Sequence, residues 1–196
     1  RNGSLVVAPA RDAADLTRFA QRTECHEWID GDRLATLEPD LAGRFRRALF
    51  FPDEAHLDPR KALALLTATL AARGVSIRFG VEAEPVTAGG DLVVDCRGLA
   101  ARGALPDLRG VRGEMLVVRT HDVALSRPVR LLHPRIPLYI VPRGEGLFMV
   151  GATMIESEER RAVSVRSAVE LLNAAYTLHP AFGEAYRAGD ADALAA

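Results

Sequence analysis

The chain has 196 residues, 48% of them hydrophobic and 26% charged, with a formal net charge of −1. That length supports one domain or two small ones with a real core. Near-neutrality argues against nucleic acid or an anionic membrane surface as a partner. No apolar run approaches the roughly 20 residues needed to span a bilayer, and no signal peptide is visible. Lys61 is the only lysine, and the arginine and alanine content reflects a GC-rich genome rather than a function. Cys25 and Cys96 lie far apart and read as reduced thiols of a cytoplasmic protein. Cys25-His26 is the only neighbouring pair of metal-ligand type, too little for a site. A start without Met in the middle of a strand pattern, and an end of small polar residues, lead us to expect a fragment.

In chain order, residues 4–8 read as a strand closed by Pro9. Residues 11–22 read as a helix with Leu16, Phe19 and Ala20 on one side. Residues 26–29 form a short strand, Asp30 caps a short helix limited by Pro39, and 48–51 is another strand. Asp58-Pro59 opens the clearest helix, with Ala62, Leu65, Leu66, Thr69 and Leu70 on one face and Gly74 as its terminator. Residues 75–79 are expected as a strand. Residues 88–90 make a tight connection to 92–94, an apolar run of the kind found inside a sheet. Four strands then follow at 114–119, 129–133, 138–142 and 147–152, with short turns that favour antiparallel pairing. Ser164 or Ser167 starts a last helix carrying Val165, Ala168, Val169, Leu172 and Tyr176, with Pro180 just beyond it. The fold class is α+β: a mixed, largely antiparallel sheet with helices on one face.

Few residues suggest chemistry. In IPLYIVPRGEGLFMVGATM (136–154), pairing through an even-length turn gives Tyr139 and Met154 the same parity and places them on one sheet face, whereas an odd-length turn places them on opposite faces. The sequence leaves that open, and both side chains also suit a half-buried core. Asp95-Cys96-Arg97-Gly98 follows an apolar run, a favoured ligand position in open α/β sheets, but also an ordinary strand–helix connection. Gly113 can let a flat group approach the backbone, while Arg112 and Glu114 read as a solvated charge pair. His56 and His133 have no metal-ligand spacing. G-x-G-x-x-G, Walker, G-x-S-x-G and H-E-x-x-H patterns are all absent. Residues alone yield a mixed α/β domain with a possible ligand face and no assigned reaction.

Three tracts change that. VVDCRGLAAR (93–102), VRGEMLVVRT (111–120) and LYIVPRGEGLFMVGATM (138–154) together resemble the FAD-dependent amino acid oxidases of the glycine oxidase type, relatives of D-amino acid and sarcosine oxidases, many of which serve thiamine biosynthesis. FFPDEAHLDPRKALALLTATLAARGVSIRFG (50–80) fits the same pattern, and the resemblance runs from about Gly3 to Glu184. It implies FAD as cofactor and a small amine or amino acid as substrate, oxidised to an imine by hydride transfer to flavin, with hydrogen peroxide formed on reoxidation. It implies that the Tyr139 hydroxyl helps hold the substrate carboxylate and that Met154 lines the pocket near the flavin. Cys96, Arg97, Gly98 and Gly113 would contact the cofactor. The implied domains are 1–57 and 112–184 for the substrate domain, 58–111 for part of a FAD-binding domain, and 185–196 for a tail. The dinucleotide fingerprint and the family's carboxylate-binding arginine have no match in the chain, so the chain alone is expected to be inactive. A non-catalytic domain binding a small ligand or a partner, and a structural α+β domain, are the rival readings. Homo-oligomerisation is left open.

Overall fold

A computed structural model describes residues 2–83, 89–133, 136 and 138–188. The chain divides into two compact units. Unit 1 comprises Arg1–His56, Arg112–Ile155 and Glu159–Ala196; unit 2 comprises Leu57–Val111 with Glu156–Glu158.

Unit 1 is built on an eight-stranded sheet. Its strands are β1 (Ser4–Val7), β2 (Glu27–Asp30), β3 (Arg47–Phe51), β5 (Met115–Arg119), β6 (Val129–Leu131), β7 (Leu138–Gly144), β8 (Leu147–Gly151) and β10 (Tyr186–Arg187), in the order β10-β5-β8-β7-β6-β1-β3-β2. The two-residue strands β4 (Val111–Arg112) and β9 (Ile155–Glu156) fall at boundaries of the division. Among the described residues of the eight-stranded sheet, only the β1–β6 pair is parallel and the other six pairs are antiparallel. The expected mixed, largely antiparallel sheet is therefore what the chain forms. The segment expected to be a tail contributes β10, and Ala188 N–H donates to the Val117 carbonyl. Residues 189–196 lie outside the described residues.

The helices bury the sheet unequally. Leu5, Val7, Val129, Leu131, Leu138, Ile140, Phe148 and Val150 point into the main core. There they meet α2 (Gly31–Leu37) and α4 (Val165–Leu178), and Phe182 packs edge-on to Phe148 at 5.3 Å. The alternate residues Val6, Leu49 and Phe51 meet Leu16 of α1 (Ala13–Ala20) in a second, smaller cluster. All four residues of β1 are buried because its two faces serve different cores.

Caps agree with sequence. Asp30 Oδ1 accepts the Arg33 N–H at 2.8 Å at the start of α2, and Ser164 Oγ accepts the Ser167 N–H at 3.2 Å at the start of α4. The face of α4 is corrected. Ser167, Leu171, Ala174, Ala175 and Leu178 go inward, while Val165, Val169 and Tyr176 are exposed. The buried stripe mixes Leu171 and Leu178 with Ser167, Ala174 and Ala175, so side-chain size alone does not mark it. Arg112 and Glu114 are corrected too. Glu114 is buried, paired with Arg112, and accepts hydrogen bonds from the Ser164 N–H and hydroxyl.

In unit 2, α3 (Pro59–Ala72) forms as expected. Asp58 Oδ1 accepts the N–H groups of Arg60 and Lys61, at 2.8 and 3.1 Å. Gly74, at φ +82°, closes it with bonds from Gly74 N–H to Ala71 and from Val75 N–H to Leu70, the Schellman pattern. No residue of α3 is buried, and Leu63, Leu65, Leu66 and Leu70 are exposed. The expected strands at 75–79 and 92–94 do not form: no ladder is made there, and Leu92 and Val94 face outward. A strand is defined by a pairing partner, and the described residues of the unit supply none. Of the expected 88–90 connection, residue 88 lies outside the described residues; Gly89 and Gly90 have φ of +67° and +131°.

Candidate functional site

The main core takes one set of sheet positions on β6, β7 and β8; the other set, Arg130, Tyr139, Val141, Met149 and Gly151, points to the opposite face. Pairing places Arg130 opposite Tyr139, and Tyr139 opposite Gly151, which is opposite Met115. The open parity of the hairpin is resolved by a register shift between Pro142 and Gly144. Gly144, Glu145 and Gly146 all have positive φ, at 87°, 51° and 71°, so the turn demands its two glycines. Tyr139 accordingly meets Gly151 rather than Val150.

Gly151 is small for a local reason. A Cβ there would sit 2.8 Å from Met115 Cγ and 3.3 Å from both Cζ and the hydroxyl oxygen of Tyr139. The phenol and the thioether thus lie over a bare patch of backbone. The Tyr139 hydroxyl donates to Met115 Sδ at 3.6 Å. Sulfur is a weak acceptor, so this proton is not spent on a strong one.

Tyr139 also lines a pocket of about 400 Å³ with Val141, Arg130, Phe19, Ser4, Glu54 and His56. α1 supplies Phe19, and the residues just after β3 supply Glu54 and His56. Ser4 Oγ donates to Glu54. Among these residues, sequence reading singled out only Tyr139, and His56 as a lone histidine. Arg130 was legible in retrospect: Val129-Arg130-Leu131 alternates buried, exposed, buried.

The other expected residues lie elsewhere. Met154 is three residues past the end of β8 and 77% exposed, and it is not among the residues lining the Tyr139 pocket. Gly113 belongs to unit 1; a Cβ there would make only ordinary contact, 3.6 Å from the Thr153 carbonyl.

Cys96, Arg97 and Gly98 belong to unit 2, and Cys96 is an exposed free thiol. Arg97 grips Asp95 through Nε–Oδ1 at 3.0 Å and Nη2–Oδ2 at 2.9 Å, and its N–H adds a bond of 3.1 Å. These side-chain bonds first, then the backbone bond, hold the Asp95 carboxyl below its ordinary pKa. Gly98, at φ +59°, opens the short 3₁₀ segment Gly98–Gly103, and the space a Cβ would take is empty. The turn is therefore tied down and leaves its backbone approachable. Among the described residues no group of three or more His, Cys, Asp or Glu side chains could hold a metal ion, and no helix is long and apolar enough to cross a membrane.

Comparison with known proteins is direct. Over 185 residues the chain is 61% identical to a Rhizobium etli protein described as the thiamine biosynthesis oxidoreductase ThiO, covering 94% of this chain and 56% of that protein. It is 27% identical over 177 residues to the bifunctional protein ThiO/ThiG of a Synechocystis species, covering 80% of this chain and 26% of that protein. Among solved structures, glycine oxidase from Geobacillus kaustophilus superposes with a TM-score of 0.71 at 23% identity, covering 95% of this chain and 56% of the other. That likeness shows the fold. The chain spans about half the length, or less, of the curated relatives it matches. The model of the FAD dependent oxidoreductase family (DAO) matches residues 1–191, and the chain belongs to that family.

Proposed function

We propose that the protein containing this chain oxidises glycine, or a small D-amino acid or amine, to the imine, with FAD as the hydride acceptor, in thiamine biosynthesis in the cytoplasm. Family membership and the ThiO relative support the class of reaction. The observation that carries the substrate assignment is the Tyr139 hydroxyl: held over Gly151, weakly bonded, and lining a pocket of small-molecule size.

FAD, when bound, supplies a two-electron acceptor that takes the Cα hydrogen with its electron pair and passes the electrons to oxygen, forming hydrogen peroxide. The chain's own task is to bind and orient. Tyr139 donates its phenolic proton to the substrate carboxylate, giving up only a sulfur contact to do so. The missing side chain at Gly151 lets the phenol and the Met115 thioether sit close against the sheet. Val141, buried and in the pocket lining, presents apolar surface beside Tyr139. Met154 lies outside that lining, so we assign it no part in selecting side chains. Arg97 and Gly98 fit a cofactor-contacting turn, because the turn is braced by Asp95 and open where a Cβ would stand, and Cys96 belongs to the same turn. Unit 2 would then be part of the FAD-binding domain, and unit 1 the bulk of the substrate domain. The chain by itself is expected to be inactive, since the exposed leucines of α3 and the unpaired 92–94 run describe an unfinished layer.

The test is Tyr139→Phe in the full-length protein. Loss of one hydrogen bond to a charged group costs about 1.5–3 kcal/mol, so affinity for the amino acid should fall roughly 10- to 150-fold. The flavin spectrum and thermal stability should stay near wild type, because the hydroxyl has no strong internal partner. Unchanged affinity would remove Tyr139 from the site.

A further inference from the structure

Arg130 is an unspent cation beside Tyr139. Its neighbours on β6, Val129 and Leu131, are fully buried in the main core, so strand alternation sends Arg130 to the face that carries Tyr139. The two residues are directly opposite across an antiparallel pair, which brings their Cβ atoms to roughly 4.5–5.5 Å. On its other side Arg130 stands opposite Val6 of β1. Its guanidinium carbon lies 5.7 Å from the centroid of the Phe19 ring, and both side chains line the pocket. Ring contact orients the guanidinium without using its N–H donors. Elsewhere in unit 1, Arg44, Arg112 and Arg127 each donate to carbonyl or carboxylate oxygens. Among the described residues Arg130 has no hydrogen-bond or ion-pair acceptor.

The pocket's own carboxylate, Glu54, is bonded to Ser4 Oγ. Ser4 precedes Val6 by two residues, a separation of about 7 Å along the strand. Glu54 therefore leaves the guanidinium edge available rather than closing on it. A pocket of about 400 Å³ lies within the roughly 300–1,000 Å³ typical of small-molecule sites, more than a two-carbon amino acid fills.

We propose that Arg130 binds an acidic group carried by the substrate in addition to the carboxylate that Tyr139 holds, so that the favoured substrates are small amines with two carboxylates. The planar fork of Arg130 matches a carboxylate in two parallel bonds, which an amide of the same shape cannot reproduce. This inference rests on the oxidase reading above.

The test uses the FAD-loaded full-length protein with D-aspartate and D-asparagine, which differ in charge but hardly in shape. Flavin reduction is followed anaerobically, and malonate and acetate binding by calorimetry. The expected ratio of kcat/KM for aspartate over asparagine is at least tenfold in wild type. It should fall at least tenfold in Arg130→Gln and recover in part in Arg130→Lys. Malonate should bind at least tenfold more tightly than acetate, and that advantage should vanish in Arg130→Gln. Active oxidation with a ratio near one, or a ratio that Arg130→Gln leaves unchanged, would overturn the assignment. A flavin that no amine reduces, with malonate binding still dependent on Arg130, would refute the oxidase reading and leave the anion site standing.

Discussion

Glu38 is 1% exposed, and its carboxylate is the hub of a clamp. It accepts the Ser126 N–H at 3.0–3.1 Å, the Ser126 hydroxyl at 2.6 Å and Arg127 Nε at 2.7 Å. The clamp ties the end of α2 to the turn that leads into β6, the strand carrying Arg130. Glu38→Ala would strip the acceptor from all three donors and leave the Arg127 guanidinium, 13% exposed, without its counter-ion. Breaking a buried pair by removing one partner costs about 3–5 kcal/mol. Arg127 keeps the Asn2 carbonyl at 2.7 Å and the Leu37 carbonyl at 3.2 Å, which favours the lower part of that range. We expect about 3–4 kcal/mol. At about 2–4 °C per kcal/mol for a chain of this size, Tm should fall by about 6–16 °C. Thermal unfolding of the full-length protein by circular dichroism reads this directly. Glu38→Gln, which keeps an acceptor but no charge, should lose roughly half as much. A Tm within 2 °C of wild type for Glu38→Ala would refute the reasoning. So would a Glu38→Ala, Arg127→Met double variant no more stable than Glu38→Ala, because removing the stranded charge should restore part of the loss.

Gly151→Ala tests the clearance under Tyr139. The new Cβ would press on Met115 Cγ and on the Tyr139 hydroxyl and ring; Met115 is flexible and half exposed, so Tm should fall by only a few degrees while the Michaelis constant rises at least fivefold. An unchanged Michaelis constant would mean that the phenol position is irrelevant to substrate. Two groups predict acid sensitivity. His179 has its pKa lowered, first by burial and then by the Arg44 charge, while Asp40 opposes this. The unfolded chain then binds a proton that the folded chain resists, so stability should decline as pH falls below about 6.5. Glu114 has its pKa lowered, chiefly by hydrogen bonding from Ser167, with Ser164 and Arg112 adding to it against burial. Its stabilisation is present above about pH 4.5 and lost as pH drops through its lower folded value. Tm measured from about pH 8 down to about pH 2 should show both slopes. His179→Gln should flatten only the upper one, and a profile unchanged by that substitution would exclude the histidine.

Much of this protein was legible from local pattern. Asp58-Pro59 and Gly74 bracket α3, Asp30 caps α2, and the four strands after residue 111 follow from alternation and short turns, because capping and pleat are properties of neighbours in sequence. The pairing of Tyr139 was not legible. A single bulge residue between Pro142 and Gly144 sets whether Gly151 or Val150 faces the phenol, and sequence parity cannot count it. Nor was the buried stripe of α4, where Ala174 and Ala175 face inward with Leu171 and Leu178 while Val165 and Val169 stay exposed, because packing on the sheet sets the helix's rotation. The failed strands at 75–79 and 92–94 carry the same lesson from the other side. Their apolar runs suggest a buried strand, but a strand exists only where another backbone supplies its hydrogen bonds.

The residues by themselves therefore determined the class of fold, the helix limits and, through three motif tracts, the family. Tertiary structure alone decided that Arg130 and Tyr139 stand side by side with the phenol over Gly151, that Glu38 and Glu114 are buried hubs, and that Met154 stands outside the pocket that Tyr139 lines. The reason is physical. Capping, turns and alternation act over a few residues, whereas a site is assembled by strand register across residues that are far apart in the chain, and register is settled by packing.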